Sequence, residues 1–429
     1  MKKSKIYWFE PLVFIFFGVM HMSRIWGLFD RDGYRGFWMS AYYERGAAYF
    51  AISGIMAVLC VAGIVVFLKN FGRNYWWRWV YLFGGGYVIF DLAAISVKWQ
   101  PWEDLLEFMY DVNSPYWNLI WGFFIIIGAM SLVLGICIAA GNRSKSIYRS
   151  EKAKEAVLDL YDRQLARIDV PFKDVYVETS FGRTHLVETG NLSGAPLLVF
   201  HGGNSTTAYT LLSCGFLMRD FHVFAVDTIG HPGKSAETVL SSGNYDYGKW
   251  AGEVINALGF DKMRCFGGSF GAGVLAKTMC TVPEKIEKAV LYVPSGIKNA
   301  PAINSMSMMF PMIMYWITHN EKWFKRCVMP MAVTEENLDD DLLETAKCSI
   351  DNAKIHAGMP SDVSEKLMKK CTAQTLVVAA ESDCLFPARL VIPRAQKIIP
   401  NCTTYVLKGR GHANKLTESE ENMIADFLK

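Results

Sequence analysis

The sequence predicts an α/β domain that is preceded by an all-α transmembrane region of about four helices. Two observations support this division. Four long apolar stretches lie within the first 145 residues, and ten of the thirteen tryptophans precede residue 122. Beyond residue 170 the chain instead shows short apolar strands that alternate with glycine-rich turns and helical patterns. We therefore predict a transmembrane region over residues 1–145 and a second domain over residues 146–429.

The four apolar stretches predict transmembrane helices at residues 11–29, 46–68, 79–97 and 116–140. Each is close to or above the ~20 residues that a helix needs to cross a bilayer. The second and fourth contain no charged residue, and Trp and Tyr cluster at the ends, as they do at membrane interfaces. No small-residue cleavage site follows the first stretch, so we predict an uncleaved span rather than a signal peptide.

Basic residues in the connecting segments predict that both termini are cytoplasmic, because short cytoplasmic segments are rich in Lys and Arg. The basic residues are Lys2, Lys3, Lys5, Lys69, Arg73, Arg78, Arg143, Lys145, Arg149, Lys152 and Lys154. The segment between the third and fourth spans carries Lys98, but also Glu103, Asp104, Glu107 and Asp111. The segment between the first and second spans contains both basic and acidic residues and favours neither side. The second domain would then face the cytosol. Its cysteines form no CxxC pair, which is typical of a protein in a reducing compartment.

Three polar residues lie inside the predicted spans: His21, Arg24 and Asp91. Such residues are costly in a bilayer and often functional. We favour a charge pair that joins the first and third spans, and a path for a proton, ion or ligand is the alternative. A haem bound by two histidines of one chain is excluded, because His21 is the only histidine of this region.

The most informative segment is Cys265–Gly273, a short apolar strand that turns at a serine and leads into a helix. The spacing Gly267-x-Ser269-x-Gly271 is that of a nucleophile elbow, in which side chains at the glycine positions would crowd the turn. The serine hydroxyl would be held at the tip of a sheet, beside a helix N-terminus that favours negative charge. An ordinary glycine-rich turn is the alternative.

An activated serine needs a histidine base and an acid that orients it. We predict Asp383 as the acid, because it follows the apolar run 375–380 and precedes a proline by four residues. We predict His412 as the base, because it is the only histidine after Asp383 and it follows the run 403–407. Glu381 is the alternative acid, which we consider a surface carboxylate.

A His-Gly-Gly turn after the apolar strand Leu197–Phe200 predicts donors for an oxyanion. We expect these to be the backbone N–H groups of Gly203 and of Phe270, the residue after the serine. Asn204 is the alternative to Gly203. His201 precedes the serine and breaks the expected chain order, so we expect it to be structural.

The last two-thirds of the chain resembles the α/β-hydrolase superfamily at five places in the right order. These places are the turn 201–203, the loop with Asp227, Gly230, Gly233 and Ser235, the elbow, the loop from Asp383 to Pro387, and Gly411-His412. The loop after Asp227 is one residue longer than in the family, with His231 and Pro232 before Gly233 where the family has a single residue, and we expect it to reshape the pocket wall. The resemblance implies a mostly parallel eight-stranded sheet with flanking helices and a helical cap.

The resemblance also implies a serine hydrolase in which Ser269 attacks a carbonyl, His412 transfers the proton and Asp383 holds the imidazole. We predict cleavage of a carboxylic ester through an acyl-enzyme. A thioesterase, an amidase or peptidase, and a C–C hydrolase use the same triad. A membrane sensor or transport module with an accessory hydrolase is the alternative from another class.

The insertion that forms the cap is expected at about residues 297–372, and it contains the methionine-rich segment Met306–Trp316. Methionine adapts to varied partners, so this segment and the membrane attachment favour a lipophilic ester or acyl substrate.

Residues 146–168 are predicted to be helical. We predict no cofactor, because no metal-ligand cluster or nucleotide loop is evident. The net charge of +3 gives no reason to expect nucleic acid.

Overall fold

The computed structural model describes residues 7, 9–44, 46–69, 77–141, 146–354 and 358–429. The chain divides into two compact units, Met1–Ser144 and Lys145–Lys429. Part of the basic set that predicts cytoplasmic termini lies outside the described residues, namely Lys2, Lys3, Lys5, Arg73, Arg143 and Lys145. The topology therefore stays a prediction.

The described residues of the first unit are almost entirely helical. Its helices are α1 (Glu10–Met22), α2 (Trp26–Phe29), α3 (Arg31–Glu44), α4 (Ala47–Lys69), α5 (Arg78–Ser96), α6 (Gln100–Met109) and α7 (Trp117–Gly141), and a 3-10 turn (Ser23–Ile25) joins α1 to α2. Four segments are long and apolar enough to cross a membrane: Glu10–Phe29, Tyr49–Lys69, Arg78–Ser96 and Trp117–Ala139. They agree with the predicted spans to within three residues at each end. Helices α3 and α6, in the connecting segments, were not predicted.

Glycines let α1 and α7 approach each other closely. A Cβ atom on Gly18 would lie 2.8 Å from the backbone nitrogen of Leu132, and one on Gly135 would lie 2.9 Å from the carbonyl oxygen of Pro11. Small residues at helix contacts are typical of membrane helices, whose association depends on close packing rather than on exclusion of water. The glycines of these two stretches therefore explain why these two helices pack together.

The polar residues of the predicted spans do not form a direct salt bridge with each other. Asp91 accepts a hydrogen bond from the indole N–H of Trp102 at 2.8 Å. The Arg24 guanidinium lies 5.0 Å from the ring centroid of Phe124, and the His21 ring stacks on the same phenyl ring at 5.7 Å. No salt bridge joins the described side chains of Arg24 and Asp91. The predicted charge pair is therefore not a direct salt bridge, because aromatic side chains approach each of these groups. The charge of Arg24 still acts on Asp91 at longer range.

The second unit is built on an eight-stranded sheet. Its strands are β1 (Phe172–Thr179), β2 (Gly182–Gly190), β3 (Ala195–Phe200), β4 (Phe221–Val226), β5 (Met263–Gly268), β6 (Ile286–Tyr292), β7 (Gln374–Ala380) and β8 (Cys402–Leu407). Their spatial order is β1-β2-β4-β3-β5-β6-β7-β8, and only β2 runs antiparallel to the others. The predicted mostly parallel eight-stranded sheet is thus confirmed.

Helices cover both faces of the sheet. They are α8 (Glu151–Leu165), α9 (Thr207–Ser213), α10 (Leu217–Asp220), α11 (Asp246–Ala257), α12 (Phe270–Thr281), α13 (Met306–Thr318), α14 (Glu321–Ala332), α15 (Asp340–Asn352), α16 (Glu365–Met368), α17 (Ala388–Ile398) and α18 (Glu418–Leu428). Short 3-10 turns lie at Pro283–Lys285, Ala302–Ser305 and Glu335–Asn337. One core packs around Trp250 and Leu275, and the other around Tyr161 and Ile424. Helices α13–α16 lie between β6 and β7, in the segment where the cap was predicted.

The pairing of the parallel strands brings the predicted site residues to one edge of the sheet. Phe200, the last residue of β3, is level with Gly267 of β5. The last residues of β7 and β8, Ala380 and Leu407, are also level with each other. Because the loops that leave these strands begin at the same edge, residues from four distant parts of the sequence meet there.

Candidate active site

Ser269 lies at a sharp turn between β5 and α12. Its backbone angles, φ 53° and ψ −114°, are unusual for a residue with a side chain and cost about 1–3 kcal/mol. Its N–H donates to the carbonyl of Tyr292 at 2.9 Å. Its carbonyl accepts from the backbone N–H and the hydroxyl of Ser295 at 3.2 and 3.0 Å. These bonds to the end of β6 and to the loop that follows it hold the serine in the strained conformation.

The two glycines of the motif are sterically required, and the glycine between them is not. A Cβ atom on Gly267 would lie 2.7 Å from the carbonyl oxygen of Gly271. A Cβ atom on Gly271 would collide with the carbonyl oxygens of Phe200 and His201 at the end of β3. The nearest atom to a Cβ on Gly268 is 3.8 Å away, which is ordinary contact. The predicted crowding at the two motif positions therefore has a structural cause.

The structure brings Ser269, His412 and Asp383 together in the predicted order. The Ser269 hydroxyl lies 2.8 Å from Nε2 of His412, and Oδ2 of Asp383 lies 2.8 Å from Nδ1 of the same ring. A carboxylate can only accept, so Nδ1 carries the proton and Nε2 is free to accept from the serine hydroxyl. His412 and Asp383 are both buried, with 9% and 2% of their surface exposed. This arrangement can remove a proton from the serine.

The Asp383 carboxylate is held in its ionised form. Burial by itself raises the pKa of this group, but the charge and hydrogen bond of His412 outweigh it, so that the pKa lies below its usual value. The backbone N–H groups of Leu385 and Phe386 also donate to Oδ1, at 2.7 and 2.9 Å. Both oxygens of the carboxylate thus have fixed partners.

The alternative acid, Glu381, lies outside this arrangement. Its side chain is exposed and accepts a hydrogen bond from the backbone N–H of Gly409 at 2.8 Å. No hydrogen bond joins it to His412 in the part of the chain that the structure describes. Glu381 therefore stabilises the turn after β8 and does not contact the base.

The predicted oxyanion donors belong to residues that line a small cavity, whose lining does not include Ser269 or His412. A Cβ atom on Gly203 would lie 3.4 Å from the Cβ of Phe270, so the glycine turn passes directly over the start of α12. Neither backbone N–H donates to another group among the described residues. Gly203, Asn204 and Phe270 all line a cavity of about 90 Å³.

His201 is structural, as the sequence indicated. Its Nε2 accepts a hydrogen bond from the backbone N–H of Thr228 at 3.0 Å, and its Nδ1 lies 2.8 Å from the carbonyl oxygen of Gly202. Complete burial lowers the pKa of this imidazole, which favours the neutral form that the two hydrogen bonds require. His201 thereby ties the glycine turn to the loop after β4.

One support of the histidine loop was not predicted from the sequence. The hydroxyl of Tyr292, at the end of β6, donates to Oδ1 of Asn414 at 2.7 Å. The amide of Asn414 donates in turn to the carbonyls of Gly411 and His412 at 3.0 and 3.3 Å. Strand β6 thus holds both the serine, through Tyr292, and the loop that carries the base. The nearby sequence Gly411-His412-Ala413-Asn414 carried no signal of this role.

The cavity wall contains a segment that the sequence assigned to a helix. Helix α8 begins only at Glu151, where the Ser150 side chain accepts from the N–H of Ala153, so the helix prediction for residues 146–150 was wrong. Tyr148 instead forms an antiparallel bridge with Ala353 at the end of the cap helix α15. Ile147 lines the cavity as a result.

The inserted pair His231 and Pro232 also lines the cavity, as the longer loop led us to expect. The His231 ring centroid lies 4.4 Å from that of Phe270, the residue after the serine. Burial, and to a lesser extent the nearby His201, lowers the pKa of His231 to about 3, so its ring is neutral at physiological pH. Within the described ranges, no three His, Cys, Asp or Glu side chains converge as metal ligands would.

The fold and the site define a class of protein. The sequence profile of the alpha/beta hydrolase fold family matches residues 195–419, which is more than half of the chain. The chain therefore belongs to the α/β-hydrolase family, and it is a hydrolase.

Two of the proteins that the chain resembles in sequence are carboxylesterases by name, and both come from Bacillus subtilis. Carboxylesterase YbfK is 22% identical over 278 residues, which cover 62% of this chain and 92% of the relative. A second protein, named uncharacterized carboxylesterase nap, is 21% identical over 280 residues, which cover 63% and 91%. The crystal structure of naproxen esterase (carboxylesterase NP) matches with a TM-score of 0.55 at 19% identity, over 64% of this chain and 98% of that one. At this identity the structural match establishes the fold alone.

Proposed function

We propose that this protein is a membrane-anchored serine hydrolase that cleaves a carboxylic ester through an acyl-enzyme. Ser269 is the nucleophile, His412 the general base and Asp383 the residue that orients the imidazole. The observation that carries the proposal is the line of two 2.8 Å hydrogen bonds from Asp383 through His412 to a serine in a strained turn. The names of the two curated relatives support an ester as the substrate.

The geometry supports a two-step reaction. The Ser269 Oγ attacks the ester carbonyl carbon while Nε2 of His412 takes the hydroxyl proton. The backbone N–H groups of Gly203 and Phe270 stabilise the oxyanion, and the Asp383 carboxylate stabilises the imidazolium. His412 then returns the proton to the departing alcohol, which leaves an acyl group on Ser269. Water repeats the attack and releases the carboxylic acid.

Several features support a membrane location and a lipophilic substrate. Four helices in the described part of the chain are long and apolar enough to cross a bilayer, and the basic segments favour cytoplasmic termini. The cap carries a methionine-rich helix, α13, whose apolar side chains lie largely at the surface. A thioesterase, an amidase or peptidase, and a C–C hydrolase would use the same residues, so the choice among them is a matter for substrate assays.

Labelling with a fluorophosphonate tests the proposal directly. The purified full chain is expected to react with the probe, because the serine is activated by His412, whereas Ser269→Ala is expected to remain unlabelled. Nitrophenyl esters, thioesters and anilides of matched acyl length would then identify the bond that is cleaved. Absence of labelling in folded wild-type protein would contradict a serine hydrolase, and labelling of Ser269→Ala would contradict the choice of nucleophile.

Ile147→Ala is expected to shift selectivity towards bulkier esters. The side chain lines the cavity beside Gly203 and Phe270, and it is 1% exposed. Its N–H donates to Glu237 at 3.0 Å and its carbonyl accepts from Lys354 at 2.7 Å, so the backbone stays fixed when the side chain is shortened. Because each methylene in a pocket is worth about 1–3 kcal/mol, we expect kcat/KM for a bulky ester relative to acetate to rise by about 10-fold.

Val157→Ala is the matched control for this substitution. Val157 packs in the same small cluster as Ile147 and is 3% exposed, but it does not line the cavity. It is expected to lower the melting temperature without changing the ratio of kcat/KM values. Equal ratios for wild type and Ile147→Ala would show that this wall does not contact the substrate.

A further inference from the structure

One face of the cap helix α13 is apolar and bare. The side chains that form it, together with the preceding turn, are Ile303, Met306, Met309, Phe310, Ile313, Trp316 and Ile317, which are 46–71% exposed. At 100° per residue, the six that belong to α13 fall within about a third of the helix circumference. We call these seven side chains the cap apolar face. Contiguous exposed patches of this kind mark binding surfaces in soluble domains.

The helix is apolar on its inner side as well, and that side is firmly attached. Tyr315 is completely buried, and its hydroxyl donates to the Asp351 carboxylate of α15 at 2.8 Å. Its ring packs on Phe324 of α14 at 5.2 Å. The inner contacts therefore set which side of α13 points outwards. A helix that is apolar all round is normally covered on every side, so the outer face lacks a partner among the residues that the structure describes.

The exposed charges on α14 beside this face are mainly positive. Residues 299–318 contain no Asp, Glu, Lys or Arg. Beside them, α14 carries three exposed cations, Lys322, Lys325 and Arg326, none of which forms a salt bridge within the described residues. Glu321 is compensated by Lys347 at 2.9 Å. The neighbourhood of the face is therefore positively charged.

The apolar and cationic parts form a continuous surface. The Phe310 ring meets the edge of Trp323 at 5.7 Å, and the Arg326 guanidinium lies 4.9 Å from the same indole. An apolar helix face with Trp and Phe, bordered by Lys and Arg, has the chemistry of a helix that lies in the membrane interface. Aromatic rings suit the headgroup level, and cations suit anionic lipids.

We propose that the cap apolar face docks on the lipid bilayer in which the same chain is anchored, with the cations of α14 against anionic headgroups. The proposal rests on the membrane anchoring proposed above and is independent of the ester activity. The bilayer is the favoured occupant, because the chain itself holds this domain at a membrane. A second copy of the chain, or another part of the same chain, would not account for the cationic border.

A fluorescent amino acid placed at Phe310 tests the contact. The full chain is reconstituted in vesicles of phosphatidylcholine and phosphatidylserine, and flotation of the vesicles first establishes that the chain is anchored. We expect brominated-acyl lipids to remove most of the emission from position 310, and aqueous iodide to have little effect. The matched control is Leu192, which is 68% exposed in the turn between β2 and β3 at the opposite edge of the sheet. There, iodide and not the lipid is expected to quench.

The outcomes are separable. A chain that does not float would overturn the anchoring, and the docking with it. A floating chain whose position 310 is quenched by iodide would overturn the docking and leave the anchoring intact. Protection from both quenchers would mean that protein covers the face, which also overturns the proposal.

Charge reversal supplies a second test without touching the apolar side chains. Lys325→Glu combined with Arg326→Glu is expected to cause a loss of lipid quenching at position 310. Lys366→Glu combined with Lys370→Glu changes the net charge equally at exposed positions away from the cap apolar face, and it is expected to preserve the quenching. Equal losses in the two variants would mean that general charge attraction, rather than this surface, governs the contact.

Discussion

Asp383→Asn is expected to lower kcat for ester hydrolysis by about 10⁴-fold while the fold is preserved. Oδ1 of Asp383 accepts from the N–H groups of Leu385 and Phe386, so the carbonyl oxygen of the asparagine would keep those contacts. Its NH₂ group would then face Nδ1 of His412, where the carboxylate oxygen now lies at 2.8 Å. A donor at this place forces the proton of the ring onto Nε2, which can then no longer accept from Ser269.

The control for this substitution is Glu381→Gln. Glu381 is exposed and accepts from the N–H of Gly409, which the amide oxygen of glutamine can also do. We expect a change in kcat of less than about threefold, as for a surface substitution worth within ±0.5 kcal/mol. Steady-state kinetics on the same nitrophenyl ester would measure both variants. A large loss in Glu381→Gln with a small one in Asp383→Asn would reverse the assignment of the acid.

Gly271→Ala is expected to destabilise the second unit by about 3 kcal/mol and to lower kcat by about 10²-fold. The added methyl group would collide with the carbonyl oxygens of Phe200 and His201, which are backbone atoms of β3 and the adjoining turn. Relief of the clash requires α12 to move away from β3. The serine and the N–H of Gly203, which lie on opposite sides of this contact, would separate.

Gly268→Ala is the matched control within the same motif. Its added methyl group has no neighbour closer than 3.8 Å, and the position does not have a positive φ. We expect its free energy of unfolding to stay within about 0.5 kcal/mol of wild type. Thermal unfolding followed by circular dichroism, together with the rate of fluorophosphonate labelling, would compare the two. Similar stabilities for both variants would show that the elbow tolerates a shift of α12.

The site was predictable to a large extent because its parts are local. The turn at Ser269 depends on glycines at positions 267 and 271, whose need for space follows from the tight turn itself. Asp383 and His412 each follow a strand directly, and parallel strands end at a common edge of the sheet. Once the strands were recognised, chain order was sufficient to predict which three residues lie within hydrogen-bonding distance of one another.

The failures concern contacts between distant residues. The charge pair between Arg24 and Asp91 was inferred from the opposite signs of two residues in predicted spans. In the structure, the indole N–H of Trp102, on a helix that was not predicted, donates a hydrogen bond to the Asp91 carboxylate. Sequence patterns report which side chains are polar, but they do not report which neighbour is nearest.

The sequence by itself determined the two-part organisation, the sheet, the elbow and the identity of the three residues that meet there, because each depends on hydrophobic period or on a short turn. Only the tertiary structure decided what surrounds them. The wall at Ile147 depends on the bridge from Tyr148 to Ala353, more than 200 residues away in the chain. The bare outer face of α13 likewise depends on Tyr315, whose buried hydrogen bond to Asp351 turns the other side of an evenly apolar helix outwards. Such contacts follow from packing in space, which no local pattern encodes.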